Sequence, residues 1–320
     1  MLRIDRGAGK DAKRLEKQGR FVNKEVTLMR PRHDKKQSGR PQRDTRRPPR
    51  DRQRPAGKPS GQPAAVPPKP PSGGHFLWGR HAVLAAIANA ERRIAALYAT
   101  KDAASELGRA IEALPADRRT DIPAPTISDR RRLDALQPGG DGDKAVHQGM
   151  AAAVWPLDAP DLEDLLAVAG RAPVRLLLLD QLSDPRNVGA IMRSALALGA
   201  TAIISTHRNA PDESGALARA AAGALEKIPM IRVVNLARAI ERLQEAGIEV
   251  AGLAADGETP VDTLAQIPRL AIALGAEGAG LRHLTRRHCD RLARIDISED
   301  SESLNVSIAA AIALYAARQS

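Results

Sequence analysis

Three short stretches combine small residues with polar side chains that can do chemistry. They are DPRNVGAIMRSALALG (184–199), LGAEGAGL (274–281) and SLNVSIAAAIALY (303–315). Their polar residues are Asn187 and Arg193, then Glu277, then Ser303 and Asn305. A guanidinium such as that of Arg193 stays protonated in proteins and is a poor base. Its fork of donors suits phosphate oxygens and a ribose oxygen, so it can orient a hydroxyl and stabilise negative charge developing there. Glu277 stands among Gly275, Gly278 and Gly280, which permit close backbone approach and positive φ. A loop of that kind can hold a ligand through its backbone. Each polar residue also has a plain structural use. Asn187 fits a first-turn hydrogen-bonder, Arg193 a solvated helix position, Glu277 an exposed turn carboxylate, and Ser303 and Asn305 helix N-caps.

The stretches follow apolar strand-like runs or open apolar helix-like runs. In α/β proteins, sites form at such strand carboxyl ends and helix N-termini. Val188, Ile191, Met192, Ala195 and Leu196 recur at i, i+3, i+4, i+7 and i+8, one stripe that packs a helix on a sheet. Asp184 and Pro185 read as its N-cap and first residue. The helix opened at Asn305 is apolar on nearly all sides and must be buried on most faces, by the domain or by a second subunit. The spacing predicts strands over 174–179, 202–205, 230–234, 249–254, 270–274 and 292–297. Helices are expected from the first strand to residue 198 and over 214–222, 236–246 and 305–317. This alternation predicts a parallel sheet covered on both faces. Ahead of it, 158–173 reads as a linker helix. Residues 75–157 read as a small α/β unit, with helices over 80–91, 103–114 and 130–136 and strands over 94–99 and 150–155.

Together and in this order, the three stretches resemble the signature motifs of the SpoU/TrmH family of RNA ribose 2'-O-methyltransferases, members of the SPOUT class. The resemblance covers about 245 residues, from the WGRHAV start at Trp78 onward. It implies a SPOUT-type parallel sheet with a C-terminal trefoil knot over 174–320, preceded by an L30e-like substrate-binding domain over 75–157. It matches Asn187, Arg193, Glu277, Ser303 and Asn305 to the family's catalytic positions. It implies S-adenosyl-L-methionine as cofactor, held largely by backbone at Gly275, Ile295 and Leu304, and no metal. One departure stands out: the chain reads RIDIS where relatives often have Ile-Pro-Met, so Asp296 replaces the usual proline. The 75–157 unit and KIPMIRVVNLARAI (227–240) most resemble the RlmB-like branch, which acts on a guanosine of bacterial 23S rRNA. The implied partners are RNA and a second copy of the chain. A transfer-RNA enzyme of the same family is one alternative, and a non-catalytic rRNA-binding assembly factor is another. No GxGxxG follows the first strand of the parallel sheet, which counts against a Rossmann-type methyltransferase.

Composition bounds the rest. With two Phe, two Trp and two Tyr in 320 residues, the core must be Ala, Leu, Ile and Val. The single cysteine, Cys289, rules out an intrachain disulfide and fits a reducing cytoplasm. It reads as a small core residue before a strand. No apolar run approaches membrane-spanning length. The basic start lacks the apolar core of a secretory signal; its arginines mimic a mitochondrial presequence, against which its scattered acids count. The seven histidines show no HExxH or paired Cys/His spacing, and His283 and His288 read as part of a solvated helix. The net charge of +11 is uneven: residues 1–75 hold 21 Lys/Arg against 7 Asp/Glu, and the remainder holds 28 against 31. Residues 1–74, rich in proline and without apolar periodicity, read as a disordered basic arm suited to RNA phosphates, or as a solubilising tail.

Overall fold

A computed structural model describes residues 68–136, 147–298 and 300–318. Most of the expected basic arm lies outside the described residues. Two sheets organise the rest. The first has the order β1-β4-β2-β3, built from β1 (His75–Trp78), β2 (Ile94–Ala99), β3 (Thr126–Ile127) and β4 (Met150–Val154). β4 runs antiparallel to both β1 and β2, while β3 is parallel to β2. α1 (Arg80–Ala88), α2 (Lys101–Glu112), α3 (Ala116–Asp121) and α4 (Arg130–Asp134) accompany it. α5 (Leu162–Ala169) leads to the second sheet.

That sheet has seven strands, β5 (Val174–Leu179), β6 (Ala202–Thr206), β7 (Met230–Val233), β8 (Glu249–Leu253), β9 (Thr259–Pro260), β10 (Arg269–Leu274) and β11 (Arg291–Arg294). Their order is β7-β6-β5-β10-β8-β11-β9, and every pairing is parallel. The helices are α6 (Pro185–Ala197), α7 (Gly215–Ala221), α8 (Leu236–Glu245), α9 (His283–His288) and α10 (Val306–Ala316). Leu176 to Leu179 are fully or nearly fully buried because helices cover both faces of β5. From β5 the chain first steps outward to β6 and β7; β8 to β11 then fill the other side, with β10 returning beside β5. The order therefore reverses between β5 and β10, and it is beyond the carboxyl ends at such a reversal that open α/β sheets place their ligands.

Several elements differ from the sequence expectation. The first helix stops at Ala88 rather than 91, because Asn89 turns extended and its amide reaches Glu226 Oε2 at 2.9 Å. The linker helix is confined to α5, between an Asp161–Asp164 capping box and Gly170 at φ +49°. β11 ends at Arg294, three residues early. Short β1, α3, β3 and β9 carry no periodicity to foresee them by. Leu196, expected within the buried stripe of α6, lies at its edge and is 39% exposed. The other stripe residues are buried, and Gly189 lets α7 approach so closely that a Cβ there would strike Ala220 and the Leu217 carbonyl. Within the domain α10 buries Val306, Ala310, Ala313 and Leu314 but leaves Ile308 and Tyr315 exposed, so of the two ways of covering this helix, by the domain or by a second subunit, the domain supplies only part.

The two sheets share one continuous core, which runs from Leu77, Val83 and Leu97 to Leu177, Val188 and Ala310. Half of the six aromatic residues cluster on the first sheet, where Phe76 meets Tyr98 edge-on with centroids 6.3 Å apart. Where the sheets meet, the Trp78 ring occupies the space a Cβ on Gly215 would need. Beside it lies Arg92, fully buried. It donates to Glu226 Oε1 at 2.7 Å and to the Trp155 carbonyl at 2.8 Å, and it also donates to Glu213.

Candidate functional site

The reversal of strand order decides which residues meet. Asn187 stands in the first turn of α6, after β5, and Glu277 stands in the loop after β10, the neighbouring strand. α10 brings Asn305 between them. Asn187 Nδ2 donates to Glu277 Oε1 at 3.1 Å. Asn305 Nδ2 donates to the same Oε1 at 2.7 Å and to Asn187 Oδ1 at 3.1 Å. One residue from each of the three stretches thus joins a single hydrogen-bonded trio. Glu277 and Asn305 are exposed and Asn187 is half-buried, so the trio faces solvent at the carboxyl edge of the sheet.

Asn305 is also the N-cap of α10. Its Oδ1 accepts from Ser307 N at 2.9 Å and from Ser307 Oγ at 2.6 Å. With Oδ1 committed to the helix, both amide hydrogens point at Glu277 and Asn187. The cap and the trio contacts of Asn305 therefore coexist. Ser307 escaped the sequence reading; its signal was the Asn-x-Ser spacing of a cap.

The loop carrying Glu277 is shaped by its glycines. A Cβ on Gly275 would collide with the carbonyl group of Gly280, and Ala276 and Gly280 exchange backbone hydrogen bonds of 3.1 and 2.8 Å. Gly278 and Gly280 adopt φ +76° and +65°, with open space where a Cβ would be. Two further residues, missed from sequence, hold the ends of this loop. Asp180, at the end of β5, is fully buried. Its Oδ1 and Oδ2 accept from Arg282 Nε and N at 2.6 and 3.0 Å, and its own N–H donates to Leu274 O at 2.8 Å. A lone carboxylate directly after the run VRLLLL was the available signal.

Other expected site residues stand apart. Arg193 lies on α6 six residues beyond Asn187, about 9 Å along the axis and on another face. It is exposed, with no ion pair or side-chain hydrogen bond among the described residues. Ser303 is exposed, and its hydroxyl makes no hydrogen bond among the described residues; it does not cap α10. Ile295 and Leu304 are both half-buried. Ala273 pairs with Gly252 and Leu253 with Ala293, so Gly275 and Ile295 leave the same carboxyl edge, two strands apart. Asp296, in place of the usual proline, accepts from Arg294 Nε at 2.9 Å. Arg294 also donates to the carbonyls of Gly257 and Glu258, at 3.2 and 2.8 Å, so an ion pair and two backbone contacts tie down this turn.

Cys289 donates to Thr285 O at 3.2 Å. Burial, aided by Asp290 and Asp180, pushes its thiol up to about 12, which leaves it protonated at neutral pH and unsuited to nucleophilic attack. α9 carries His283 and His288, as expected of a solvated helix, and His288 Nε2 lies 3.1 Å from Glu241. Among the described residues, no three His, Cys, Asp or Glu side chains group so as to hold a metal ion, and no helix is long and apolar enough to cross a membrane. A cleft of about 650 Å³ opens away from the trio, at the junction of the sheets, lined in part by Asn89, Pro156, Glu213, Glu226 and Lys227.

Comparison with known proteins bears on this arrangement. The model of the SpoU rRNA Methylase family matches residues 175–315, which contain all three stretches. The 23S rRNA (guanosine-2'-O-)-methyltransferase RlmB of Xylella fastidiosa (strain Temecula1) is 38% identical over 245 residues, 76% of this chain and 95% of that protein. The RlmB of a Burkholderia species is 44% identical over 191 residues, 59% of this chain and 75% of that one. The fold is similar to that of an AdoMet-bound rRNA methyltransferase from Sinorhizobium meliloti, with TM-score 0.61, 22% identity, and coverage of 77% of this chain and 87% of that one. The SpoU methyltransferase AviRb from Streptomyces viridochromogenes is comparable, at TM-score 0.60 and 24% identity over 77% of this chain and 89% of that one. The chain belongs to the SpoU rRNA methylase family and, within it, groups with the RlmB-like relatives.

Proposed function

We propose that this protein transfers a methyl group from S-adenosyl-L-methionine to a ribose 2'-hydroxyl of RNA, that of a guanosine in 23S rRNA. The observation that carries this reading is the Asn187–Glu277–Asn305 trio, one residue from each family motif, joined at the strand-order reversal. The cofactor would supply an electrophilic methyl group on a sulfonium; as the ribose oxygen gains the methyl and releases its proton to water, the sulfonium would become a neutral thioether. Gly275, Ile295 and Leu304 would hold it. They fit: Gly278 and Gly280 leave the loop backbone bare of side chains, and Ile295 and Leu304 offer half-buried apolar surface near the same edge. Glu277 Oε1 accepts from both Asn187 and Asn305, which fixes its carboxylate beside the reacting ribose. Arg193 orients the 2'-hydroxyl and stabilises the charge that grows on its oxygen. Ser303 completes the polar set.

In this reading residues 75–157 are an L30e-like RNA-binding domain, 158–173 a linker, and 174–320 a SPOUT domain whose C-terminal part forms a trefoil knot. The exposed Ile308 and Tyr315 on α10, with half-buried Ile312 between them and exposed Leu196 on neighbouring α6, fit a homodimer interface. That arrangement gives Arg193, remote from its own trio, a route to a complete site. The enzyme works in the cytoplasm, and its arm, residues 1–74, grips RNA phosphates.

The test is methyl transfer from labelled S-adenosyl-L-methionine to RNA pools, with mapping of 2'-O-methylation in cells lacking the gene. Loss of one 23S rRNA guanosine mark is expected. Loss of a transfer-RNA mark instead would assign the tRNA substrate, and no incorporation into any pool would leave an rRNA-binding assembly factor. Removing residues 1–74 should flatten the dependence of RNA affinity on salt without changing the modified site.

A further inference from the structure

We propose that Asp180 is a positioning residue, which sets the place of the Glu277 loop and so couples the first motif to the second. The inference rests on the functional reading above, in which that loop belongs to the site. Two requirements must be met to aim Glu277: the loop needs a shape and it needs an address. Its shape is internal, from the Ala276–Gly280 hydrogen bonds and the Gly275–Gly280 contact. Neither fixes the loop relative to β5, where α6 and Asn187 begin. Asp180 does. Its N–H holds Leu274 O, the last acceptor before the loop, and its carboxylate holds the N–H and Nε of Arg282, the first residue after it. One residue at the tip of β5 thus staples both ends of the seven residues between.

The energetics favour this role over a decorative ion pair. The Asp180 side chain is wholly buried, while that of Arg282 is 50% exposed. A buried carboxylate requires charged or N–H partners, and both of those available come from residue 282. The rival anchor is Leu281, which packs so closely over β8 that a Cβ on Gly252 would lie 2.7 Å from its Cδ1. Apolar packing of that kind holds depth but not direction.

The test uses the full-length protein with Asp180→Asn, which keeps the shape but not the charge. Arg282→Met is the second variant; it removes the guanidinium and leaves the backbone N–H. Hydrogen exchange of residues 276–282 and the kinetics of methyl transfer are read together. In Asp180→Asn, exchange in that segment should speed up by roughly tenfold or more, the scale of a lost hydrogen bond to a charged group. Turnover should fall and KM for S-adenosyl-L-methionine should rise, while RNA affinity and exchange in the first sheet stay unchanged. Arg282→Met should shift the same quantities less, and it carries the test should Asp180→Asn fail to fold. Wild-type exchange of the loop in a folded variant would overturn the proposal and leave Leu281 as the anchor. A loosened loop with wild-type turnover would keep the clamp and overturn the assignment of the loop to the site.

Discussion

The junction between the sheets and the trio at the carboxyl edge are both polar networks, yet they are built to opposite ends. At the junction Arg92 has 0% side-chain exposure, against 3% for Glu226 and 16% for Glu213. All three guanidinium nitrogens donate, and Glu226 takes further support from Asn89. At the edge, Glu277 and Asn305 are exposed, and Glu277 Oε1 takes both hydrogen bonds from the asparagines. Arg193 is committed to no partner among the described residues. The first network is nearly closed: its guanidinium is wholly buried and fully paired, and only its carboxylate side, Glu213 above all, reaches the cleft at the junction. The second holds its members in place by a few bonds and keeps capacity in reserve. A saturated buried network specifies an arrangement of parts; a partly satisfied exposed one leaves donors and acceptors free.

The largest expected effect strikes the open network. Replacing Arg193 by Ala should lower methyl transfer by roughly a hundredfold or more, on the scale of removing one transition-state donor. Melting temperature and S-adenosyl-L-methionine binding should be retained, since exposed Arg193 makes no ion pair or side-chain hydrogen bond among the described residues. Turnover within a factor of a few of wild type would remove Arg193 from the chemistry.

The closed network should answer in the opposite currency. Arg92→Ala leaves two buried carboxylates facing each other and should cost about 3–5 kcal/mol. For a unit of this size that corresponds to a fall in Tm of roughly 6–20 °C. The Arg92→Met, Glu226→Met pair should recover part of the loss, because it removes the guanidinium with the more deeply buried of its two carboxylates and leaves Glu213 the Leu157 N–H and His75 as partners. Calorimetry of both variants decides the matter, and a single variant that melts like wild type would show that the junction contributes no such constraint.

A smaller effect is expected where the two designs overlap, at Ser307. It is the buttress of Asn305, half-buried, and serves cap and trio at once. Ser307→Ala removes one of the two donors to Oδ1 and leaves the backbone N–H. Turnover should drop about fivefold, the equivalent of one neutral hydrogen bond near 1 kcal/mol. KM for RNA should stay put. A change in RNA affinity with constant turnover would move Ser307 from the site to the substrate surface.

The contrast also explains what was legible in the sequence. The parallel sheet followed from its apolar runs, because strands buried on both faces are near-continuously apolar and alternate with helices. The residues of the trio were visible as types: Asn187, Glu277 and Asn305 each interrupt a stretch of small residues. Their contact was not visible, since it depends on β10 returning beside β5, and no spacing encodes that. Asp180 and Arg282, 102 residues apart, and Arg92 with Glu226, 134 apart, were hidden for the same reason. A charged residue next to an apolar run reads as a strand end until its partner is known. Short β3 and β9 have two residues each, too few for a pattern. The final helix read as apolar all round, and its exposed Ile308 and Tyr315 show that the domain itself covers only part of it.

The smallest expected effect concerns a third way of handling a buried polar group, in which charge is avoided rather than paired. His147 precedes β4, and its Nδ1 accepts the N–H of Gly149 at 2.9 Å, which requires that nitrogen to be unprotonated. Its Nε2 faces Asp134 Oδ1 at 3.3 Å. Burial holds the imidazole below its ordinary pKa, with nearby Arg130 adding to the effect and Asp134 only partly offsetting it. The folded protein therefore resists a proton that the unfolded chain accepts as pH falls through about 6.5. More protons bind the unfolded state in that window, so stability should decline as pH drops below it, and the His147 contribution is fully present above it. Protonation would also break the Gly149 contact and loosen the turn in which Gln148 and Gly149 adopt φ +49° and +80°. In His147→Gln the amide oxygen can still accept from Gly149, but nothing titrates. Tm measured from pH 7.5 to 5.5 should therefore fall less steeply in this variant than in wild type, with the two proteins closest at the upper end. Parallel curves would mean that the acid sensitivity lies in another group, and a steeper curve for the variant would reverse the sign of the argument.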